Sequence, residues 1–246
     1  MKAESIPPEN CTISSFHFNI QKYKLLDGVD FLYSVLSAPE IEHIIANFFL
    51  TDLEKWHSVG VQGTVPTEQI GSTRINRWSP DFAKFLEDKI LQSCKPIIGT
   101  GNVLTDWYQS KNGADYEGRE WIPNSVSPLF RCMRYKNGGQ HWPHYDAGYI
   151  YPNEKFRTLK SFVLYLSTHK SGYTRFINDG QLMHIKERNH NDWSRQALQS
   201  EVVQEYIPNS GSILLFNHRI CHDVSAFHDS NDRLIIRGDI VYKLKD

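Results

Sequence analysis

The sequence predicts an α+β, mainly β fold: a double-sheet barrel with supporting helices on its N-terminal side. Three observations carry that expectation. Two amphipathic helical patterns come early, near 37–49 and 79–90, and seven short strand-like runs follow from Leu129 onward. Turn residues separate those runs, and no helix-length period intervenes except around 186–200. Helices first and short strands afterwards place the helices outside a two-sheet barrel. No repeat or linker divides the 246 residues, so one domain over 31–246 behind an N-terminal arm at 1–30 accounts for the chain.

The first helix opens where Ser37 and Glu40 form a capping box, with Pro39 tolerated in the first turn. Ile41, Ile44, Ile45, Phe48 and Phe49 then recur at helical spacing and make one apolar stripe. A second helix starts at Ser79-Pro80-Asp81 and sets Phe82, Phe85, Leu86 and Ile90 on one side. Between the helices, 56–63 and 71–78 read as strands. The stretch 99–127, rich in Gly, Asn, Asp and Trp, reads as long loops. The later strands are expected at 129–136, 144–150, 161–167, 173–178, 201–207, 212–217 and 233–242. Turns at Asn137-Gly138-Gly139, Lys170-Ser171-Gly172 and Pro208-Asn209-Ser210-Gly211 help to separate them.

Composition narrows the function classes. A formal net charge of -1 recruits neither nucleic acid nor an anionic membrane. The only basic cluster, Lys186 to Arg195, is interrupted by Glu187 and Asp192, so no nucleic-acid partner is expected. No stretch approaches the roughly 20 apolar residues of a membrane span, and the first residues show no signal-peptide pattern. Cys11, Cys94, Cys132 and Cys221 form no CxxC pair, so a reducing, cytoplasmic setting is expected in place of a disulfide framework.

The chemistry centres on Gln140-His141-Trp142-Pro143-His144-Tyr145-Asp146. His144 and Asp146 are two apart and would share one face of a strand. An imidazole, a carboxylate and a distant histidine make the facial triad of a non-haem iron site. Three protein ligands on one face leave three positions open, two for chelation by a 2-oxo acid and one for dioxygen. A lone HxD is weak evidence, and a second one, His190-Asn191-Asp192, lies in a polar stretch that reads as a solvated loop.

The downstream context decides between them. Pro208 to His222 is a turn and a buried apolar strand ending in histidines. Eleven residues beyond His222, the strand Arg233 to Tyr242 sets Arg233, Ile235, Arg237 and Asp239 on one face. Leu234, Ile236, Ile240 and Tyr242 lie on the other. Two arginines on a buried face need anionic partners: Asp239 could serve one, and a ligand carboxylate is the natural partner of the other.

The run Arg-x-x-Arg-Tyr-x-x-Gly-Gly-Gln-x-x-x-His-x-Asp at 131–146 resembles the prolyl-4-hydroxylase-like Fe(II)- and 2-oxoglutarate-dependent dioxygenases. So do Leu164-Tyr165-Leu166-Ser167 followed by Gly172-Tyr173-Thr174-Arg175-Phe176, and the stretch from Pro208 to Tyr242. Leu36-Ser37-Ala38-Pro39-Glu40-Ile41 resembles the family's first helix, so the likeness spans roughly 32–246.

The resemblance implies a double-stranded β-helix, a jelly-roll or cupin-like barrel. It implies iron held by His144, Asp146 and His222, which are both metal ligands and catalytic residues, and 2-oxoglutarate gripped by Arg233 with Tyr135. His218 would support the site, and Arg237 would be either a second co-substrate residue or a partner of Asp239. Iron(II), 2-oxoglutarate and dioxygen are the implied cofactors, with ascorbate as a supporting reductant.

The implied reaction turns 2-oxoglutarate into succinate and CO2 and hydroxylates an unactivated C–H, most naturally a prolyl or other side chain of a protein or peptide. Free amino acids and small natural products are the alternatives, as is a barrel that binds metal or a small acid without oxidising anything. Here Arg stands for the Lys of collagen-type members, Ser171-Gly172 for Gly-Gly, and Asp223 follows His222. His141, Trp142, Tyr149, Arg74 and Arg77 could line a substrate entrance, against the plainer reading of packing or surface residues.

Overall fold

The computed structural model describes residues 26, 28–58, 71–98, 118–153, 155–178, 196–218 and 220–246. Two antiparallel sheets make up the β structure. The major sheet has nine strands: β1 (Val29–Leu32), β2 (His57–Ser58), β3 (Ser72–Trp78), β4 (Ile97–Ile98), β5 (Glu120–Val126), β6 (Leu129–Tyr135), β8 (Phe156–Tyr165), β11 (Ile213–Asn217) and β13 (Arg233–Leu244). The minor sheet has four, in the order β10 (Val202–Tyr206), β9 (Thr174–Ile177), β12 (His222–Val224), β7 (His141–His144). The two sheets form a mainly β double-stranded β-helix with two helices, as expected.

Helix α1 (Ala38–Phe48) begins at Ser37, whose backbone N–H and hydroxyl both donate to the Glu40 carboxylate at 2.7 and 2.9 Å. Helix α2 (Pro80–Ile90) is capped by the Ser79 hydroxyl, which accepts from the N–H of Phe82 at 3.3 Å. Both stripes expected from the sequence face the core, with Ile41, Ile45 and Phe85 partly buried at its edge. Ile44, Phe48, Phe49, Phe82, Leu86 and Ile90 join Ile236, Ile240 and Tyr242 of β13 in one core. A second core, with Ile235, Met133, Tyr135, Val163, Tyr165, Phe176 and Phe216, fills the space on the other side of the major sheet. The period-2 alternation of β13 is therefore real: one face meets the helices and the other faces the minor sheet.

Three expectations need correcting. The stretch 120–126 is a strand, not loop. It pairs with the far half of β13, and its Pro123 sits opposite Tyr242 at a register irregularity, where a missing N–H is tolerated. Residues 145–149 form no strand; only an isolated bridge joins Ile150 to Arg157. The short strand β12 at 222–224 was not foreseen, because three residues are too few to show alternation. The strand expected over 56–63 is seen at His57–Ser58; Trp56 ends the preceding turn, and 59–63 lie outside the described residues, as do the second HxD, the basic cluster at 186–195 and Cys11. Among the described residues no helix is long and apolar enough to cross a membrane, and Cys94, Cys132 and Cys221 form no disulfide.

Gly238 shows how tightly the sheet is filled. A Cβ there would stand 2.3 Å from Cζ of Phe162, which is fully buried, so only glycine fits between Arg237 and Asp239.

Candidate metal centre

His144 ends β7 and His222 opens β12, and the two are paired directly across the minor sheet. Asp146 lies just past the end of β7, so the turn of the chain, not strand alternation, brings its carboxylate to the site. One ligand atom from each of His144, Asp146 and His222 falls within 4.8 Å of the others. His144 Nε2 is 3.9 Å from Asp146 Oδ1, and His222 Nε2 is 3.7 Å from Asp146 Oδ2.

The tautomers are set from behind. His144 Nδ1 is 2.7 Å from the carbonyl of Trp142, and His222 Nδ1 is 3.0 Å from that of Ile220. A carbonyl can only accept, so each Nδ1 carries the proton and each Nε2 turns its lone pair toward the carboxylate. Burial, with the neighbouring His144 imidazole, lowers the His222 pKa to about 3.

Asp146 is gripped at both oxygens. Arg237 Nε donates to Oδ2 at 3.0 Å, Arg237 Nη2 lies 3.0 Å from Oδ1, and the Ser161 hydroxyl donates to Oδ2 at 2.5 Å. Burial pushes this carboxyl up, but the Arg237 guanidinium outweighs it and holds it well below the usual carboxylate range. Arg237 also reaches Asp239 Oδ1 at 3.1 Å. Asp239 in turn takes Arg131 at 3.0 Å and His218 Nε2 at 3.2 Å. The pair with Asp239 was foreseen; the grip on Asp146 was not. Ser161 was missed altogether, since a serine in an apolar strand carries no signal of its partner 15 residues away. His218 touches Asp239 and lies outside the ligand set.

Arg233 is wholly buried at the other end of the same strand face. It lies opposite Tyr135 in the sheet, and its Cζ stands 4.8 Å from the Tyr135 ring centre and 5.6 Å from that of Tyr165. Nη2 makes one long contact, 3.4 Å, to the Thr174 hydroxyl. Among the described residues Nε and Nη1 have no hydrogen-bond partner and no carboxylate pairs with the guanidinium. A Cβ at Gly172 (φ 71°) would press on it, at 3.2 Å from Arg233 Cδ. The Tyr135 hydroxyl donates to the Met133 thioether at 3.8 Å, and burial raises its pKa to about 12 against the pull of the neighbouring Arg233 guanidinium.

Of the other candidates, His141 stacks on His144 with ring centres 4.0 Å apart at 25°, and Trp142 is buried. Tyr149 is exposed and packs edge-on against Tyr151. Arg77 turns to the helix side and binds the carbonyls of Phe48 and Thr51 together with Asp52, so it is structural. Arg74 lies on the opposite, inner face.

Two sheets facing each other, with a His-Asp-His cluster between them, make a fold similar to that of solved prolyl hydroxylases. Among solved structures, a prolyl-4-hydroxylase of Pseudomonas putida matches with a TM-score of 0.50 at 14% identity, over 93% of this chain and 96% of that one. A prolyl hydroxylase from Trichoplax adhaerens, in complex with a hypoxia inducible factor oxygen degradation domain peptide fragment, matches with a TM-score of 0.50 at 12% identity. That match covers 92% of this chain and 85% of the other. No family model matches the sequence, and no curated protein matches it.

Proposed function

We propose that this chain is an Fe(II)- and 2-oxoglutarate-dependent oxygenase that hydroxylates an unactivated C–H bond, in a prolyl or other amino-acid side chain of a protein or peptide. One observation carries the reading. Three metal-ligating side chains converge, and behind them stands a fully buried arginine with two unpaired nitrogens. A buried guanidinium without an acid is costly unless an anion completes it, and a dicarboxylate chelated at the metal would do so. The two solved structures named above are prolyl hydroxylases, which favours a prolyl side chain.

The residues fit the group they would hold. The imidazoles of His144 and His222, each held at Nδ1 by a backbone carbonyl, and an ionised Asp146 would present two nitrogens and an oxygen to a divalent iron ion. Bound iron with 2-oxoglutarate would supply the oxygen-activating redox chemistry, and the protein contributes orientation and dryness. Arg237 fixes the Asp146 carboxylate, and buried Arg233 would take the distal carboxylate of the co-substrate in a two-pronged contact. The Tyr135 hydroxyl stays protonated, and its acceptor in the structure, the Met133 thioether, is a weak one that a co-substrate oxygen would replace.

The test is oxygen-dependent conversion of 2-oxoglutarate to succinate by protein supplied with Fe(II) and ascorbate, alongside a peptide and metabolite screen for products heavier by one oxygen atom. Turnover that is lost in His222→Ala and Asp146→Ala supports the proposal. Absence of turnover, coupled or uncoupled, alongside intact metal binding would favour a non-catalytic barrel. A free amino acid or other small acid is the second reading for the substrate, favoured by the arginine-rich inner face.

A further inference from the structure

The inner face of the major sheet carries more positive charge than the metal site uses. Arg74 on β3 pairs with Met133 of β6, which pairs with Ile235 of β13. Met133 and Ile235 belong to the core between the sheets, whereas Ile75, the next residue along, belongs to the core beneath the helices. Arg74 therefore points between the sheets. It stands in the row between Tyr135–Arg233 and Arg131–Arg237, and the exposed His57 of β2 continues its row to the rim.

Arg131 and Arg237 are matched by Asp239 and Asp146. Arg74 makes no ion pair among the described residues, and its buried Nε has no hydrogen-bond partner. Burial and the repulsion of Arg131 and Arg237 together lower its pKa, which shows a half-buried cation facing other cations. Counting described groups on this face, four arginines (74, 131, 233 and 237) meet two carboxylates, Asp146 and Asp239. Iron(II) and 2-oxoglutarate carry equal and opposite charge, so loading the site leaves that surplus in place. A cleft of one sign concentrates ligands of the other.

We propose that Arg74, backed by Arg131, is a substrate-recognition residue, and that the substrate carries an oxyanion, a carboxylate or a phosphate, on the open side of the metal centre. Guanidinium recognises either group in a two-pronged geometry. The position of this subsite beside a metal rests on the oxygenase reading; the anion site itself does not.

The experiment uses the full chain with Mn(II) and 2-oxoglutarate, a loading that cannot turn over. Acetate and inorganic phosphate serve as probes, followed by the nuclear relaxation that nearby Mn(II) induces and, in metal-free protein, by calorimetry. We expect saturable binding of at least one probe to the natural chain and a loss of at least tenfold in affinity in Arg74→Ala. Arg74→Lys should recover part of that loss, and affinities for Mn(II) and 2-oxoglutarate should stay unchanged in both variants. The probe that saturates at lower concentration names the oxyanion.

Equal probe affinity in the natural chain and Arg74→Ala, or no saturable binding to the natural chain, overturns the proposal. Probe binding that survives where neither Mn(II) nor 2-oxoglutarate binds would sink the oxygenase reading and leave the anion site standing. Once a substrate is found, masking its acid as an amide should raise KM at least tenfold while changing kcat less.

Discussion

The two arginines of β13 share a strand, a face and a spacing of four residues, yet they sit in opposite electrostatic states. Arg237 is saturated, with both Asp146 oxygens and Asp239 within 3.1 Å. Arg233, more deeply buried, has aromatic faces and one threonine hydroxyl but no acid among the described residues. A protein tolerates the second state only at a price in stability. On the proposed function, the difference separates a residue that fixes the Asp146 carboxylate from one that a ligand carboxylate would complete.

Removing the saturated member should have the largest effect. Arg237→Met leaves Asp146 and Asp239 buried without their shared cation, and breaking such a pair costs about 3–5 kcal/mol. We expect a clear fall in the thermal midpoint of the metal-free protein, together with weaker Mn(II) binding. An unchanged midpoint would mean that the Asp146–Arg237–Asp239 chain contributes little.

Arg233→Met should do the reverse. The metal-free protein should keep or gain stability, since a buried charge with no acid among the described residues is replaced by an apolar chain of similar length. Affinity for 2-oxoglutarate should drop by about 2–5 kcal/mol, roughly thirtyfold or more, as expected for removing one partner of a desolvated charge pair. Mn(II) binding in the absence of 2-oxoglutarate should be unaffected. Calorimetry on the two variants side by side breaks the comparison if both lose stability alike.

How much of this could be read from the chain follows the same line. Alternation along Arg233 to Tyr242 separated the two faces correctly, because a twofold period depends on nothing outside the strand. The His-x-Asp and distant His spacing likewise picked out the residues that converge. Partners were another matter. That Arg237 grips Asp146, 91 residues earlier, depends on how β7 turns off its sheet, which no local pattern encodes. The strand at Glu120–Val126 was hidden by its proline and by loop-like neighbours, and it exists because β13 is long enough to accept it beyond β6.

Acid should expose the same centre from the side of the histidines. His222 has a folded-state pKa of about 3, against about 6.5 when unfolded. The unfolded chain therefore binds the extra proton first as pH falls. The stability held by the neutral imidazole is complete above pH 6.5 and is lost progressively down to pH 3. Between pH 6.5 and 5 the loss is on the order of 2 kcal/mol for this one group. Melting curves of the metal-free protein should show that slope, and His222→Gln should flatten it; equal slopes would contradict the burial of a neutral ring.

The smallest expected effect is the finest probe of the Arg233 end. Tyr135 lies opposite Arg233, and its ring supports the guanidinium at 4.8 Å. Tyr135→Phe keeps that ring and removes only a hydroxyl whose partner among the described residues is a thioether, a weak acceptor. Folding stability should therefore change little. If the hydroxyl donates to the co-substrate, 2-oxoglutarate affinity should fall by the value of one hydrogen bond to a charged group, about 1.5–3 kcal/mol, or roughly ten- to a hundredfold. Burial keeps the phenol protonated, with a pKa near 12, so the loss should be the same at pH 7 and pH 9. Unchanged 2-oxoglutarate affinity in Tyr135→Phe would reduce Tyr135 to a packing residue and leave Arg233 to hold the distal carboxylate without it.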